Sequence, residues 1–580
     1  MRIAIYGVSA AGKDHLISDL VGYLAERDIE LTPVPGSATL NDMAHRTYGK
    51  SLSSLGEDDK ARLRRRFADE LSLKERECGN VVVDGHYAFY ASDGSLADVF
   101  TDSDLAAYDL FLYLDTDPKV VTERLCRQGR PMPEDDVRAW QDHEVEGLST
   151  RLLEAGKELH VIRDDGEPTL RYIEEAMRGK WSSPEIAREA VEALRTLGGP
   201  GVVCLVDCDK TLIMEDTTSL ILKRHGTSAS GLVDVYERDR YTNYQCYMAD
   251  QWLDSNLGLG DDDIAWACDE VTPNEGLLAS LRDRPSVPVV AITAGPTNVW
   301  RRLIDRLGIG AELLDTHGVM SKYVKCFVTR ELQRRGFYVI AVGDSMLDSL
   351  MLEQADRPYA YAGKGRRESM ARVLERNPHI RQFSFCPYQY PGAHADGSIC
   401  WVDCLSQGDR EVASDIAVCK SSSGSMGRIL RGAHRRLGAR LGRRISTCLA
   451  GEELAVIIMM RSGLPLGEGI ADELDCPMLF FDGDADGLVE QVEGNGLGGR
   501  RLILTDGVVN TGRSLEELTA RLGGYRIAVA ASVVSSSAKV GTSYPVFSAR
   551  VSDNSYVGAK QWDVSGGKGP DTADRLFRTM

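Results

Sequence analysis

The chain lacks an excess of positive charge, a long apolar run and a paired-cysteine motif. Lys and Arg (68) are outnumbered by Asp and Glu (87), leaving a formal net charge of −19 over 580 residues. Nucleic acid and anionic membrane are bound through basic surface, so neither is expected as a partner. The longest apolar run, residues 454–460, is far too short to cross a bilayer. Met1-Arg2-Ile3-Ala4-Ile5-Tyr6 reads as a first strand and not as an export signal. The 13 cysteines are scattered without a CxxC pair, which fits a reduced cytoplasm. Cys386, Cys400, Cys404 and His394 are spaced too irregularly to favour zinc. No internal repeat is present.

The chain has length for three or four domains. It also has three phosphate-handling signatures, each at the end of an apolar run that reads as a buried parallel strand. They are Gly7-Val8-Ser9-Ala10-Ala11-Gly12-Lys13, Asp207-Cys208-Asp209-Lys210-Thr211 and Thr505-Asp506-Gly507-Val508-Val509-Asn510-Thr511-Gly512. Apolar runs at 2–6, 81–83 and 110–114 alternate with helical stretches, the rhythm of a doubly wound sheet. Leu197-Gly198-Gly199-Pro200-Gly201 breaks that rhythm, and further strands are expected at 202–206, 287–292 and 338–342. The helix-rich stretch 215–285 suits an inserted cap. Residues 395–425 turn polar and read as a linker, with later strands expected at 454–460, 502–505 and 527–534. The expected fold class is therefore α/β, as three consecutive parallel-sheet domains at 1–185, 196–400 (cap about 215–285) and 415–580. Basic clusters at 62–66 and 428–443 fall on expected helices and suit a substrate phosphate or a solvated face.

In the first unit Gly7 and Gly12 let backbone N–H groups turn toward phosphates, and Lys13 reaches the transferred group. The pattern resembles the Walker A loop of small-molecule P-loop kinases, although Asp14 replaces the usual Ser or Thr. The resemblance implies a P-loop kinase fold and ATP binding by Gly7, Gly12, Lys13 and Asp14. It makes Asp84 the carboxylate that orients magnesium or activates the acceptor hydroxyl. It also implies an arginine lid of Arg124, Arg127 and Arg130.

In the second unit, two carboxylates two residues apart at a strand end can face one site, one attacking phosphorus and the other protonating the leaving oxygen. Ile292-Thr293-Ala294, a lysine and Gly343-Asp344-Ser345-Met346-Leu347-Asp348 follow in order. The set resembles the haloacid-dehalogenase (HAD) phosphatases, which have a Rossmann-like sheet and a helical cap. That resemblance makes Asp207 the nucleophile, Asp209 the acid and base, and Thr293 and Lys325 the phosphate ligands. Asp348 holds the lysine or completes a metal shell. Lys325 is preferred to Lys322 because it begins the helix that precedes the last motif. Magnesium on Asp207, Asp209 and Asp344 is implied, since the carboxylates otherwise repel one another and the substrate. The cap position resembles the phosphoserine-phosphatase branch and suits a small phosphate monoester, with Glu215 and Asp216 able to meet an amine.

In the third unit an apolar strand leads to Asp506 and a small-residue turn. It resembles the phosphoribosyl pyrophosphate (PRPP) loop of type I phosphoribosyltransferases. The resemblance implies Asp506 on the ribose hydroxyls and Asn510, Thr511, Gly512 and Ser514 around the 5′-phosphate. Met459-Met460-Arg461-Ser462-Gly463 resembles the pyrophosphate loop of the uracil branch, with Arg461 as its cation. The tail with Asp571, Thr572, Ala573 and Asp574 resembles that branch's base-recognition loop. Gly507 replaces a second acid, and Pro570 replaces a glycine whose N–H faces the base. Asp482, Asp484 and Asp486 stand where a basic flexible loop is usual.

The combined expectation is a cytoplasmic, magnesium-dependent, multifunctional enzyme of nucleobase and nucleotide metabolism. Its partners are small molecules: ATP, PRPP, a pyrimidine-like base and a phosphate monoester. A homo-oligomer through the third unit is also implied. Two alternatives stay open: a PRPP- or nucleotide-sensing regulator with only the HAD unit catalytic, and a polynucleotide end-healing kinase and phosphatase.

Overall fold

A computed structural model of the protein describes all residues except 91–93, 199–200, 283–286, 362–367, 378–379, 384–401, 406–408, 421–422, 536–537, 539, 541–543, 553–571 and 580. The fold is α/β, built on three parallel sheets. Their central strands are unbroken apolar runs, because helices cover both faces of each sheet.

The first strands are β1 (Arg2–Tyr6), β2 (Thr32–Val34), β3 (Val81–Gly85), the antiparallel pair β4 (Ala88–Tyr90) and β5 (Leu96–Asp98), β6 (Leu110–Leu114) and β7 (His160–Ile162). Five of these form a sheet in the order β2-β3-β1-β6-β7. Next come β8 (Val202–Asp207), β9 (Val289–Ile292), β10 (Glu312–Leu313), β11 (Tyr338–Gly343), β12 (Arg357–Tyr361) and β13 (Arg381–Phe383), ordered β10-β9-β8-β11-β12-β13. The third sheet holds β14 (Asp403–Cys404), β15 (Leu454–Met459), β16 (Met478–Phe481), β17 (Arg501–Val509), β18 (Arg526–Ser535) and β19 (Val546–Ser548). Its order is β14-β19-β18-β17-β15-β16, and β20 (Val551–Ser552) pairs with β18. In each sheet the chain departs to both sides of one strand (β1, β8 or β15). That reversal opens a crevice at the strands' carboxyl ends, where ligands of such sheets bind. All three sequence signatures lie at these crevices.

Helices Thr217–Arg224, Ser230–Val235, Asn243–Asn256, Asp261–Glu270 and Glu275–Arg282 intervene between β8 and β9 and form the cap. The cap is sewn to the first sheet. Gln245 Nε2 donates to the Val161 carbonyl at 2.9 Å, and Asn243 Nδ2 donates to the Trp181 carbonyl at 2.7 Å and to Ser183 Oγ at 2.8 Å. Tyr172 and Trp181 pack against Tyr244 and Tyr247, so one continuous apolar core runs from the first sheet into the second. Arg238 and Arg240, on the turn before helix Asn243–Asn256, both reach the buried carboxylate of Asp115 just beyond β6, at 2.7 and 3.1 Å. Both also reach Asp142, at 2.7 and 2.6 Å. A second core joins the middle sheet to the third.

Several expectations are corrected. The described part of the stretch read as a linker holds β14 and helix Arg410–Cys419, so the third sheet begins before residue 415. Asp415 on that helix binds Arg436 and Arg440, while Arg435, Arg443 and Arg444 pair with Glu468, Glu473 and Asp403. The basic run 428–443 is thus largely spent on neighbouring acids and is not an open phosphate patch. Helix Ser183–Glu192 straddles the expected boundary at 185 and packs on helix Lys322–Arg334 of the middle unit. The strand expected to stop at 505 continues to Val509. The acidic stretch after Phe481 is a helix, Ala485–Gly494, capped by Asp484 through the Gly487 N–H at 3.1 Å. Acids suit a helix N-terminus because they face its unpaired N–H groups. Among the described residues, no helix is long and apolar enough to cross a membrane.

The Asp115 cluster yields a stability prediction. Asp115→Ala leaves two buried guanidiniums sharing Asp142, with Gln141 accepting from Arg238, and breaking such a pair costs about 3–5 kcal/mol. The midpoint of the first urea unfolding transition should fall accordingly. An unchanged midpoint would show that this contact does not hold the cap to the first sheet.

Candidate active site of the middle unit

Asp207 ends β8, and Asp344 directly follows β11, the strand beside it. The two carboxylates therefore meet across the point where the sheet order reverses. Helix Lys322–Arg334 is capped by Ser321, whose Oγ accepts from the Val324 N–H at 3.2 Å. This cap sets the first turn, and that turn aims Lys325 inward. The Lys325 ammonium is fully buried and donates to Asp207 at 2.7 Å and to Asp348 at 2.6 Å. Asp348 is further fixed by the backbone N–H groups of Asp344 (3.2 Å) and Ser345 (3.0 Å) and by the Ser345 hydroxyl (2.9 Å). Thr211 Oγ donates to the other oxygen of Asp207 at 3.2 Å.

Burial works against the charge on Lys325, but Asp207 and Asp348 outweigh it and raise its pKa. Burial raises the carboxyl of Asp207, with Asp348 adding to the effect, and it lifts Asp344 well above the carboxylate range, helped by Asp207 and Asp348. One ammonium among three carboxylates leaves an excess of negative charge that a cation relieves. Oxygen atoms of Asp207, Asp344 and Asp348 lie within 4.8 Å of one another, a spacing that fits one hard divalent ion with oxygen ligands.

Asp209, expected in the metal set, does not place a carboxylate oxygen in this cluster, whereas Asp348 does. The Asp209 carboxylate accepts instead from the Thr217 N–H at 2.8 Å, at the start of the first cap helix, and from Trp300 Nε1 at 3.3 Å. Burial, with Asp216 nearby, lifts its pKa to about 6, so a proton on Asp209 is within reach near neutrality, as an acid catalyst requires. Thr293, beyond β9, turns its Oγ to the Gly295 N–H at 2.9 Å. Glu215 and Asp216 have structural work: Glu215 accepts from the Thr272 N–H, and Asp216 caps helix Thr217–Arg224 and pairs with Lys210 at 3.1 Å. Sequence reasoning missed Trp300, Thr217 and Gly295. A β-carbon on Gly295 would stand 2.3 Å from Asp209 Oδ2, so this position needs glycine to admit the carboxylate. No spacing rule marks such a contact, because it joins three separate elements.

At the first crevice Lys13 Nζ donates to the carbonyls of Gly7 at 2.6 Å and Val8 at 3.3 Å, and lies 3.4 Å from His86 Nε2. Arg124 donates to Ala10 O and Ala11 O at 3.2 and 2.7 Å and lies against Gly12. Asp84 accepts from the Gly36 N–H at 2.8 Å. Asp14, Arg127 and Arg130 are exposed; of the expected lid, Arg124 hydrogen-bonds the loop, and the charge of Arg130 acts on His86. Two residues absent from the sequence reading adjoin it. His86 is lowered to about 3 by burial and by the Lys13 charge. Glu144 is raised to about 7 by burial, and accepts from Tyr87 N–H and Ala88 N–H, both at 3.0 Å.

At the third crevice the Ser462 hydroxyl donates to Asp506, and Arg461 donates to Asp574 at 3.3 Å. Asn510, Thr511 and Gly512 turn the chain into helix Arg513–Arg521, with Gly512 at φ 81° and Ser514 exposed. Thr572, Ala573 and Asp574 begin helix Thr572–Phe577. Asp571, Pro570, Cys386, Cys400 and His394 lie outside the described residues.

Residues 6–141 match the family model of an AAA domain, and residues 204–353 match that of haloacid dehalogenase-like hydrolases. The chain carries a P-loop domain and a HAD hydrolase domain. It is therefore an enzyme. No curated protein matches it. Among solved structures, a phospho-aspartyl intermediate analogue of phosphoserine phosphatase shares 16% identity over 32% of this chain and 93% of its own, with a TM-score of 0.26. A HAD family hydrolase from Salmonella enterica subsp. enterica serovar Typhi shares 20% identity over 32% and 67%, with a TM-score of 0.22. A purine phosphoribosyltransferase from Pyrococcus horikoshii Ot3 shares 18% over 20% and 81%, with a TM-score of 0.15. Scores this low carry no argument.

The seat of Asp209 can be tested directly. Gly295→Ala should displace that carboxylate and lower phosphate-ester turnover by about 10²-fold or more, with a modest fall in melting temperature because the added methyl also crowds Trp300 and Thr217. Full activity in the variant would remove Asp209 from the chemistry.

Proposed function

We propose that the protein is a magnesium-dependent multifunctional enzyme of nucleobase and nucleotide metabolism. The HAD domain hydrolyses a phosphate monoester, the first unit phosphorylates a small acceptor from ATP, and the third transfers phosphoribose from PRPP to a pyrimidine-like base. The observation that carries the reading is the buried Lys325 ammonium between Asp207 and Asp348, with Asp344 alongside.

In the hydrolase, an Asp207 oxygen attacks phosphorus while the ester P–O bond breaks, and the leaving oxygen takes the proton of Asp209. Asp209, now ionised, removes a proton from water. The water oxygen attacks phosphorus, the aspartyl P–O bond breaks, and phosphate leaves with Asp207 restored. Lys325 and Thr293 hold the phosphoryl oxygens. Asp207, Asp344 and Asp348 are the residues that would hold magnesium, which supplies positive charge to offset the phosphate and the carboxylates.

For the first unit, support lies in the Gly7–Lys13 loop with Asp84, Arg124 and His86 around it. For the third, it lies in Arg461, Ser462 and Asp506 meeting at one crevice. A specific observation favours a second reading, in which the third unit senses PRPP without turnover. Asp14, Gly507 and Pro570, which depart from the patterns of the families they resemble, are its support. The net charge of −19 weighs against the polynucleotide alternative.

Asp207→Asn should reduce hydrolysis by more than about 10³-fold, and chelation should abolish it until magnesium returns. Turnover surviving in Asp207→Asn sinks the aspartyl-phosphate route. With the full-length protein, PRPP and a panel of bases, pyrophosphate release lost in Asp506→Ala supports the transferase. Binding of PRPP without release supports the sensor.

A further inference from the structure

The cavity into which Asp207, Asp209 and Thr293 open has a volume of about 600 Å³. That is within the range of pockets that enclose a whole small-molecule ligand, and much more than a phosphate group needs. Its wall beyond the phosphate site carries a broad apolar face beside a polar one that includes Thr218 and Ser219. Leu222, Leu232, Val233 and Leu253 line it from the cap, and Met320 and Met346 from the body. Tyr236 stacks on Tyr241 at 5.1 Å between ring centroids and 22° between planes, and both rings border the cavity.

The charges on the wall decide what it rejects. Among its described lining residues the one cation is Lys210, and its ammonium is held by Asp216 at 3.1 Å. Among the described lining residues there is no arginine, whereas Asp216 and the exposed Asp250 are there. A phosphorylated amino acid brings a carboxylate that needs a cationic or N–H partner once desolvated. Among the described lining residues it would meet apolar side chains, the neutral Thr218 and Ser219, and two acids. An uncharged hydrocarbon or aromatic group meets a complementary wall instead.

We propose, resting on the hydrolase reading above, that this domain cleaves phosphate monoesters of apolar, carboxylate-free alcohols that carry an aromatic group. The cap selects them by burying the leaving group between its short helices and the Tyr236–Tyr241 pair. The chemistry is that already given, with the apolar alkoxide leaving as the alcohol after protonation by Asp209.

The test uses the full-length protein with magnesium and three alkyl esters: 2-phenylethyl phosphate, ethyl phosphate and O-phosphoserine. The expected kcat/KM for 2-phenylethyl phosphate exceeds that for ethyl phosphate by about 10-fold or more, and that for O-phosphoserine by about 100-fold or more. Leu253→Arg places a cation on the wall and should narrow the 2-phenylethyl to phosphoserine ratio by about 10-fold or more. If the unaltered protein hydrolyses O-phosphoserine as well as the aromatic ester, the inference is overturned while the hydrolase stands. An unchanged ratio in a folded Leu253→Arg protein also overturns it. No turnover of any of the three esters would sink the hydrolase reading itself.

Discussion

A single buried ammonium organises the middle of this protein. Lys325 has no exposed surface and lies between two carboxylates, each within 2.7 Å. Without it, Asp207 and Asp348 would be buried charges with no counter-ion, which a protein interior does not tolerate. With it, Asp207 is pinned at the end of its strand with one oxygen held and the other steadied by Thr211. The same lysine fixes the position of helix Lys322–Arg334, whose Tyr323 reaches Ser149 in the first unit. The charge balance of the hydrolase thus lies on an element that also closes the junction with the P-loop domain.

That junction has a second strand of logic in the turn between Tyr236 and Tyr241. Its two tyrosine rings border the hydrolase cavity, while Arg238 and Arg240 lean the other way onto Asp115. Asp115 is followed by Thr116, whose hydroxyl donates to the Ala11 carbonyl of the phosphate loop at 2.8 Å. One turn of chain therefore touches the wall of one site and the support of another. A cap of this kind is tethered at both ends, unlike a lid that hangs free.

Legibility from sequence followed strand ends. Asp207, Thr293, Asp344 and the Gly7–Lys13 loop each follow an apolar run, and a parallel strand delivers its last residue to the crevice whatever lies around it. Lys325 was named on the expectation that it begins its helix, but the helix begins at Lys322, and it is the Ser321 cap that sets the turn carrying Lys325 inward. The third unit was read in its strands but less well in its turns. There the strand at 501–509 outran the expected loop, and the acids after Phe481 proved to cap a helix. Arg127, Arg130 and Asp14 were named by resemblance, and the structure leaves them on the surface.

The order of the three phosphate crevices, the buried strands that build them and the carboxylates at their edges were determined by the sequence alone, because apolar periodicity and a strand's terminus are local properties. Which way Asp209 turns, how the cap is anchored to the first sheet, and that Lys210, the one cation among the described lining residues of the cavity, is held by Asp216 were decided only by tertiary structure. Each of these depends on residues far apart in the chain, such as Gly295, Trp300 and Thr217 around one carboxylate, and no local pattern records which distant side chains will share a volume.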